Sequence, residues 1–341
     1  MDLKSLPKIE LHLHLDCSLS YEAVSHLSPG ITRQQYVKEF IAPAKCTDLA
    51  EFLHCSAKGV ELMQTEYSLQ HVTEDLFKQL VDDGVAYVEL RFAPLLHLRE
   101  GLTPEKVVEA IDRATEEMTR QTGVEARLIL CTLRHFTETQ SMLTAQLVKQ
   151  FQGTRVVALD LAGDEAGYPL AAHVEAYRFA RENGLHRTAH AGEALGAESV
   201  WETVRSLQPT RIGHGVRSVE DRRLVDFLAK QRIHLEVCPS SNVQIIPSID
   251  GWSRHPVDEL YRAGVPLNIN TDTRMLTPIT LTREYEELET NFGWTTEHLR
   301  NTNLLAIDAA FVDDVTKQRL RTIVLEAYTS PTPPVSAAPI S

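Results

Sequence analysis

Several features that mark other protein classes are scarce or missing in this 341-residue sequence. Its five cysteines are an odd number and form no Cys-x-x-Cys pair, which argues against a disulfide framework and a structural zinc knuckle. No run approaches the roughly 18 to 20 apolar residues of a membrane helix, and the first residues lack the basic and then apolar layout of a signal peptide. We therefore expect a cytoplasmic protein with reduced thiols and no membrane partner.

Basic residues are also fewer than acidic residues. The 34 Lys and Arg residues face 47 Asp and Glu residues, which gives a formal net charge of −13. This balance argues against nucleic acid as the main partner. The sequence also lacks a GxxxxGK phosphate loop, a GxSxG elbow, and the HxE and PCxxC set of deaminases that act on cytosine or on bases in nucleic acids. A small-molecule partner is expected, and the oligomeric state stays open.

Eight β-branched or leucine-rich runs alternate with segments of helical periodicity, a pattern typical of parallel β-α-β units. The length also allows two domains, but eight parallel strands predict one α/β domain, a TIM (β/α)8 barrel. The predicted strands are Lys8–His14, Val85–Pro94, Glu125–Arg134, Val156–Gly163, His186–Gly192, Arg211–Gly215, His234–Pro239 and Val265–Asp272.

Two segments stand apart from this alternation. The stretch 17–84 is far longer than a βα loop of roughly 2–6 residues, so it is predicted to carry its own helices and to cover the barrel mouth as a lid. The segment 329–341 is rich in proline and small residues and is predicted to be disordered. A single barrel domain over 1–328 remains, with additional helices between strands one and two and at the C-terminus.

Ionisable side chains mark the ends of four predicted strands. His12 and His14 alternate along the first strand, so both imidazoles point to one face. Taken alone, this pair equally describes two surface histidines. Barrel enzymes, however, build their sites at the carboxyl ends of the strands, where His190 and Asp272 also lie. Three imidazoles and one carboxylate suit zinc or another divalent transition ion and leave room for a water.

Two further side chains can complete a reaction at such an ion. Bound zinc lowers the pKa of a water from about 15.7 to roughly 7. His214 can then orient or deprotonate the water, and Glu193 can donate a proton to an electron-poor ring. The alternative for Glu193 is a carboxylate stabilised by a helix N-terminus. Histidines elsewhere, such as His54, are expected to be solvated or packed outside the site.

These residues lie within strings that resemble the adenosine deaminase family of the amidohydrolase superfamily. The resemblance spans residues 7 to about 290 and keeps the family order of motifs. The strings are PKIELHLHLD at 7–16, HAGE at 190–193, RIGHG at 211–215, EVCPSSN at 236–242 and NTD at 270–272, with the quieter ELRFAP at 89–94 and DLAGDE at 160–165.

The resemblance implies zinc-dependent hydrolytic deamination of adenosine or 2′-deoxyadenosine to inosine or 2′-deoxyinosine and ammonia, with one Zn²⁺ per chain. It assigns Glu193 to the protonation of purine N1 and His214 to assisting the water, while Asp272 also accepts a hydrogen bond from that water. The metal ligands that it implies are His12, His14, His190 and Asp272.

On the substrate side the resemblance is less complete. Gly163 matches the glycine whose backbone meets purine N3, and Asp16 matches the acidic residue near the ribose 5′-hydroxyl. Thr273 stands where the best-known members carry a second aspartate that binds N7, and a hydroxyl donates there more weakly than a protonated carboxyl. Cys17 replaces a common glycine. Adenine, 6-aminodeoxyfutalosine and N6-methyl-AMP therefore stay open beside the nucleoside.

Two readings of a different class are also open. Binuclear amidohydrolases usually bridge their metals with a modified lysine on strand four, and residues 156–162 contain no lysine. The other alternative is a non-catalytic relative that binds nucleosides, and the presence of both Glu193 and His214 argues against it.

Overall fold

The structure is a computed structural model that describes residues 2–329. Its centre is one parallel sheet whose eight strands follow each other in sequence order. The first and last strands meet where His14 N donates to Asp272 O at 2.8 Å and Asp272 N donates to His12 O at 3.1 Å. The predicted TIM barrel is thereby confirmed. Its strands are β1 (Lys8–His14), β2 (Val85–Phe92), β3 (Glu125–Leu133), β4 (Val156–Ala162), β5 (His186–Ala191), β6 (Arg211–His214), β7 (His234–Val237) and β8 (Leu267–Ile269).

Helices connect the strands and surround the barrel. No helix within 2–329 combines the length and the apolar character of a membrane span. The helices are α1 (Tyr21–Leu27), α2 (Arg33–Phe40), α3 (Leu49–Leu62), α4 (Glu66–Asp82), α5 (Pro104–Thr122), α6 (Glu138–Gln150), α7 (Val174–Glu182), α8 (Ala197–Leu207), α9 (Arg222–Gln231), α10 (Pro239–Ile245), α11 (Val257–Arg262), α12 (Leu281–Phe292), α13 (Thr296–Ala309) and α14 (Asp314–Thr329).

The local sequence explains why a helix such as α5 forms where it does. The Thr103 side chain caps it by accepting from Lys106 N, and Pro104 occupies its first turn, where a missing N–H costs nothing. Its apolar residues recur at helical spacing, so they share one face that is buried against the sheet. That face consists of Val107, Val108, Ile111, Ala114 and Met118.

Every predicted strand after the first runs one to three residues too far. Strand β6 ends at His214, whose left-handed backbone has a φ of 60°, and Asp272, three residues beyond the end of β8, has a φ of 65°. Non-glycine residues rarely adopt this region, which ends a strand and turns the side chain away from the ladder. The strand-like residue pattern of the sequence therefore extends beyond the last residue of the strand itself.

The insertion 17–84 carries helices α1 to α4, as its length predicted. Helix α3 packs against the end of β1 at Gly59, where an added Cβ would lie 2.8 Å from Met275 Cε and 3.2 Å from Asp16 O. A larger residue here would require the end of the Met275 side chain to move and the Asp16 backbone to shift by a few tenths of an ångström. At the other end of the chain, the expectation of disorder from residue 329 is wrong for Thr329, which ends α14, and its remainder, 330–341, lies outside the described residues.

The barrel interior below the strand ends is ionic. Arg91 on β2 lies 3.0 Å from Asp160 on β4 and 2.7 Å from Glu236 on β7, and all three side chains are fully buried. Arg211 on β6 pairs with Glu236 and with Glu89 on β2. Because a buried charge without its partner is strongly destabilising, these pairs join four strands into one unit.

A buried carboxylate on α12 predicts how stability depends on pH. Glu284 Oε1 accepts from Ser240 N at 3.1 Å, Oε2 has no hydrogen-bond partner, and burial raises the pKa to about 8. Protonated Glu284 contributes its full share of stability below the unfolded pKa near 4.5. This contribution is lost as the pH rises through the folded pKa, because the ionised carboxylate is poorly solvated. We expect Glu284→Gln to raise Tm by about 3 °C or more at pH 9 and hardly at pH 5.

Differential scanning fluorimetry at pH 5, 7 and 9 measures this difference. The matched control is Glu289→Gln, an exposed glutamate on the same helix, whose Tm difference from the parent should not change with pH. A pH-independent effect of Glu284→Gln would show that folding does not raise the pKa of Glu284 into the range between pH 5 and 9.

Candidate active site

The carboxyl ends of the strands open into a cavity of about 550 Å³, with helix α3 forming part of its wall. This is the end of the barrel where enzymes of this architecture place their sites. His12 lies beneath the cavity, fully buried. The other site residues predicted from the sequence all line it, namely His14, Asp16, Gly163, His190, Glu193, His214, Asp272 and Thr273.

Four predicted metal ligands converge at the floor of the cavity. Their ligand atoms lie within 4.8 Å of one another. His14 Nε2 is 3.2 Å from His190 Nε2, and Asp272 Oδ1 is 3.4 Å from His12 Nε2. The buried His12 Nε2 has no hydrogen-bond partner, which is costly unless a cation binds it. This nitrogen and oxygen donor set fits zinc.

Close packing behind the donors depends on Gly213. This residue pairs with His190 across β5 and β6. An added Cβ would lie 3.0 Å from His12 Cε1 and 3.2 Å from His190 Cγ. Both distances are tighter than ordinary van der Waals contact, so a side chain here would push two imidazoles out of place.

Buried carboxylates orient the two deeper imidazoles. His12 Nδ1 donates to Glu236 Oε2 at 2.9 Å, and His190 Nδ1 lies 3.2 Å from Asp160 Oδ1. Such bonds fix the tautomer and turn Nε2 toward the donor cluster. Arg91 binds both carboxylates. Although burial opposes ionisation of Glu236, its arginine partners outweigh that effect and hold the pKa well below its usual range.

The sequence analysis gave Arg91, Asp160 and Glu236 no role. They lie in strings that carried the family resemblance, yet nothing in their spacing linked them to the histidines. The available signal was the presence of charged residues within strands whose neighbours are apolar, because such a charge is buried only when it is paired.

A carboxyl group with a raised pKa and an imidazole with a lowered pKa face each other above the donors. Burial, together with the charges of Asp272 and Glu165, raises the pKa of Glu193 well above its usual value. Burial and the neighbouring His12 lower the pKa of His214 well below its usual value. His214 Nε2 lies 3.5 Å from Glu193 Oε1, an oxygen without a hydrogen-bond partner. The raised pKa favours the protonated form of Glu193, which suits a proton donor.

Neighbouring polar groups hold the other predicted side chains. The Asn242 amide donates to His214 Nδ1 at 3.0 Å, and Ser241 Oγ donates to Asp272 Oδ2 at 2.7 Å. Thr273 Oγ1 accepts from Thr277 N at 3.2 Å, so the hydroxyl hydrogen remains available as a donor.

The rim of the cavity contains residues that the sequence analysis did not identify. Arg99, His135 and Tyr168 line it, and so does His54 on α3. His54 was expected to be solvated or packed outside the site, and the structure places its exposed side chain at the wall of this cavity. These residues come from helices and loops far apart in sequence, and periodicity within one element does not show which other element it meets.

Comparison with known proteins places these observations in a family. The family model described as "Adenosine deaminase" matches residues 7–327. An adenosine deaminase of Clostridium perfringens is 32% identical over 332 residues, covering 95% of this chain and all of that protein. An adenine deaminase structure from Arthrobacter aurescens has a TM-score of 0.88 at 26% identity, covering 95% of this chain and all of that one.

A second solved structure, arabidopsis ADAL complexed with IMP, has a TM-score of 0.85 at 25% identity and covers 96% of this chain and 98% of that one. The family match extends over nearly the whole chain, and it agrees with the barrel and with the cluster of imidazole and carboxylate donors at its mouth. The chain therefore belongs to the adenosine deaminase family and is a hydrolytic deaminase.

Proposed function

We propose that this protein is a zinc-dependent deaminase that converts adenosine and 2′-deoxyadenosine to inosine and 2′-deoxyinosine with release of ammonia. The observation that carries the proposal is the position of Glu193, whose buried carboxyl faces the same cavity as the donor cluster. A volume of about 550 Å³ lies within the usual range for small-molecule sites. The similarity to proteins named adenosine deaminase supports the choice of a 6-aminopurine.

In this proposal His12, His14, His190 and Asp272 hold one zinc ion, which supplies a reactive water at neutral pH. The Glu193 carboxyl donates its proton to purine N1, which withdraws electrons from C6 and makes that carbon easier to attack. His214 orients the water through Nε2, which faces Glu193. The water oxygen adds to C6, one water proton passes to the exocyclic nitrogen, and the other returns to the Glu193 carboxylate. The bond from C6 to the exocyclic nitrogen then breaks, ammonia leaves, and the product has a carbonyl at C6 and a proton on N1.

Three cavity-lining residues serve the rest of the substrate in this proposal. The Thr273 hydroxyl donates to purine N7, because its oxygen already accepts from Thr277 N. The backbone at Gly163 meets N3. Asp16 accepts from the ribose 5′-hydroxyl. Burial raises the pKa of Asp16, but the neighbouring His97 and His14 imidazoles and the hydrogen bond from Ala93 N at 3.2 Å more than offset this. The pKa therefore lies below its usual value, and the carboxylate can accept.

A nucleoside 5′-monophosphate such as N6-methyl-AMP is the second candidate. The observation that favours it is the presence of Arg99, His54 and His135 on the cavity rim, since guanidinium and imidazole groups bind phosphate. Similarity to ADAL, which was solved with IMP, points the same way. Arg99 already pairs with Glu61 at 3.7 Å, and Asp16 and Asp164 line the same cavity. These acidic groups favour the uncharged nucleoside.

An ultraviolet assay across five substrates tests the choice. We expect kcat/KM for adenosine and deoxyadenosine to exceed the values for adenine, 6-aminodeoxyfutalosine and N6-methyl-AMP by about tenfold or more, a difference of at least 1.4 kcal/mol in transition-state binding. Arg99→Gln should leave the adenosine value within about twofold. A tenfold loss for N6-methyl-AMP together with a higher parent value for that substrate would establish the nucleotide instead. Activity on none of the five would reject the proposal.

A further inference from the structure

The loop that carries Glu193 is bound by a carboxylate to which the sequence analysis gave no role. Glu165 follows β4 and is only 3% exposed. Its two oxygens accept five hydrogen bonds from neutral donors, more than the roughly four lone-pair positions of a carboxylate. The donors are the backbone N–H groups of Gly192 (2.8 Å), Glu193 (3.1 Å), Ala194 (2.7 Å) and Leu195 (3.0 Å) and the Ser199 hydroxyl.

A second side chain holds the opposite edge of the same loop. Arg217 Nη1 donates to Ala194 O at 2.7 Å, and Arg217 N donates to Gly192 O at 3.1 Å. All four N–H groups of residues 192–195 thus donate to Glu165, and two of the four carbonyl groups, those of Gly192 and Ala194, accept from Arg217. These bonds restrict rotation of the loop backbone.

We propose that Glu165 is the positioning residue for Glu193, holding the Gly192–Leu195 backbone so that the Glu193 carboxyl stays aligned with the purine ring. This inference rests on the proposed function of Glu193 as proton donor. One of the five bonds comes from the backbone N–H of Glu193 itself, so Glu165 fixes the point from which that side chain extends. Proton transfer needs alignment, and a displacement of about 1 Å can lower a rate by roughly a hundredfold.

The competing explanation is purely structural. Ser199 lies in the first turn of α8, so Glu165 also satisfies donors at the start of that helix. In that case the loss of Glu165 would lower stability without any specific link to Glu193. Stability measurements alone cannot separate the two explanations, and a kinetic coupling experiment can.

The first variant is Glu165→Gln, which keeps the shape but replaces one acceptor oxygen with an NH₂ group that faces backbone donors. We expect kcat for adenosine to fall by about 10- to 100-fold while KM stays within about threefold and bound metal stays unchanged. The matched control is Asp75→Asn. Asp75 is another buried carboxylate that accepts from a backbone N–H and a hydroxyl, both of Ser20, and its loss should lower Tm without changing kcat more than about twofold.

The decisive measurement is a double-mutant cycle with Glu193→Gln. If Glu165 acts through Glu193, Glu165→Gln should change the residual rate of the Glu193→Gln enzyme by less than about twofold. An equal fold-loss in both backgrounds would overturn the proposal. Glu165→Asp keeps the charge and part of the hydrogen bonding, so its kcat is expected to lie between those of the parent and Glu165→Gln. If Glu165→Gln does not fold, Glu165→Asp takes its place in the cycle.

Hydrogen exchange separates this proposal from the proposed function. We expect faster amide exchange over 192–195 in Glu165→Gln and unchanged exchange there in Asp75→Asn, whether or not adenosine is the substrate. Unchanged exchange in Glu165→Gln would overturn the positioning role even in an active deaminase. Faster exchange in Glu165→Gln, combined with a parent protein that does not deaminate adenosine, would show that the proposed function is wrong and that Glu165 still holds the loop.

Discussion

Replacing Glu193 with glutamine is expected to lower kcat for adenosine by about 10²- to 10⁴-fold while leaving the bound metal in place. Glutamine has nearly the same shape and still donates a hydrogen bond, but it has no acidic proton to transfer to N1. The parent carboxyl is suited to this transfer because burial, with the charges of Asp272 and Glu165, raises its pKa and favours its protonated form.

Steady-state kinetics and metal analysis of the purified variant measure both parts of this expectation. Glu198→Gln is the matched control, since it removes the same charge from an exposed position five residues later and should keep kcat within about twofold. A Glu193→Gln enzyme with nearly full activity would exclude Glu193 as the proton donor. Loss of metal from that variant would assign Glu193 to the ligand set instead.

Removal of the metal is expected to lower activity by more than about a hundredfold, and one equivalent of Zn²⁺ per chain should restore it. Four donor atoms within 4.8 Å of one another include a buried His12 Nε2 that has no hydrogen-bond partner. Burial also lowers the pKa of His14 to about 3, so this imidazole is neutral and able to bind an ion at physiological pH.

Dialysis against a chelator, followed by titration with Zn²⁺ and elemental analysis, provides the measurement. His190→Asn should reduce the bound metal well below one per chain, whereas His71→Asn, on α4 outside the cavity, should not. A demetallated preparation that works at the parent rate would contradict the proposed chemistry. Restoration at two equivalents per chain and not at one would indicate a binuclear site.

The sequence predicted the parts of this site that lie on single strands. Alternation along β1 brought His12 and His14 to one face, and its bounds were correct to the residue. The position of Asp272 was also recognised, although its strand was extended too far. The left-handed backbone of Asp272 depends on the tertiary structure around it. The hydrophobic pattern of a sequence contains no signal for such a conformation.

Contacts between elements were much harder to predict. Glu165 belongs to a string that supported the family resemblance, yet its partners lie 27 to 34 positions away. His54 lines the cavity from α3, a helix that also approaches Asp16 O through Gly59. Periodicity reports which face of an element is buried, but it contains no information about which other face covers it.

The ionic interior below the metal ligands bears on how a protein of this kind can acquire a new substrate. Arg91 and Arg211 each pair with two buried carboxylates. A neutral substitution at any one of these positions therefore leaves a buried charge without its partner. The rim residues His54 and Arg99 are exposed, and the ion pair of Arg99 with Glu61 lies at the surface. Selection experiments that randomise the rim should therefore yield many folded variants with altered preferences, while libraries aimed at the interior should yield mostly insoluble protein.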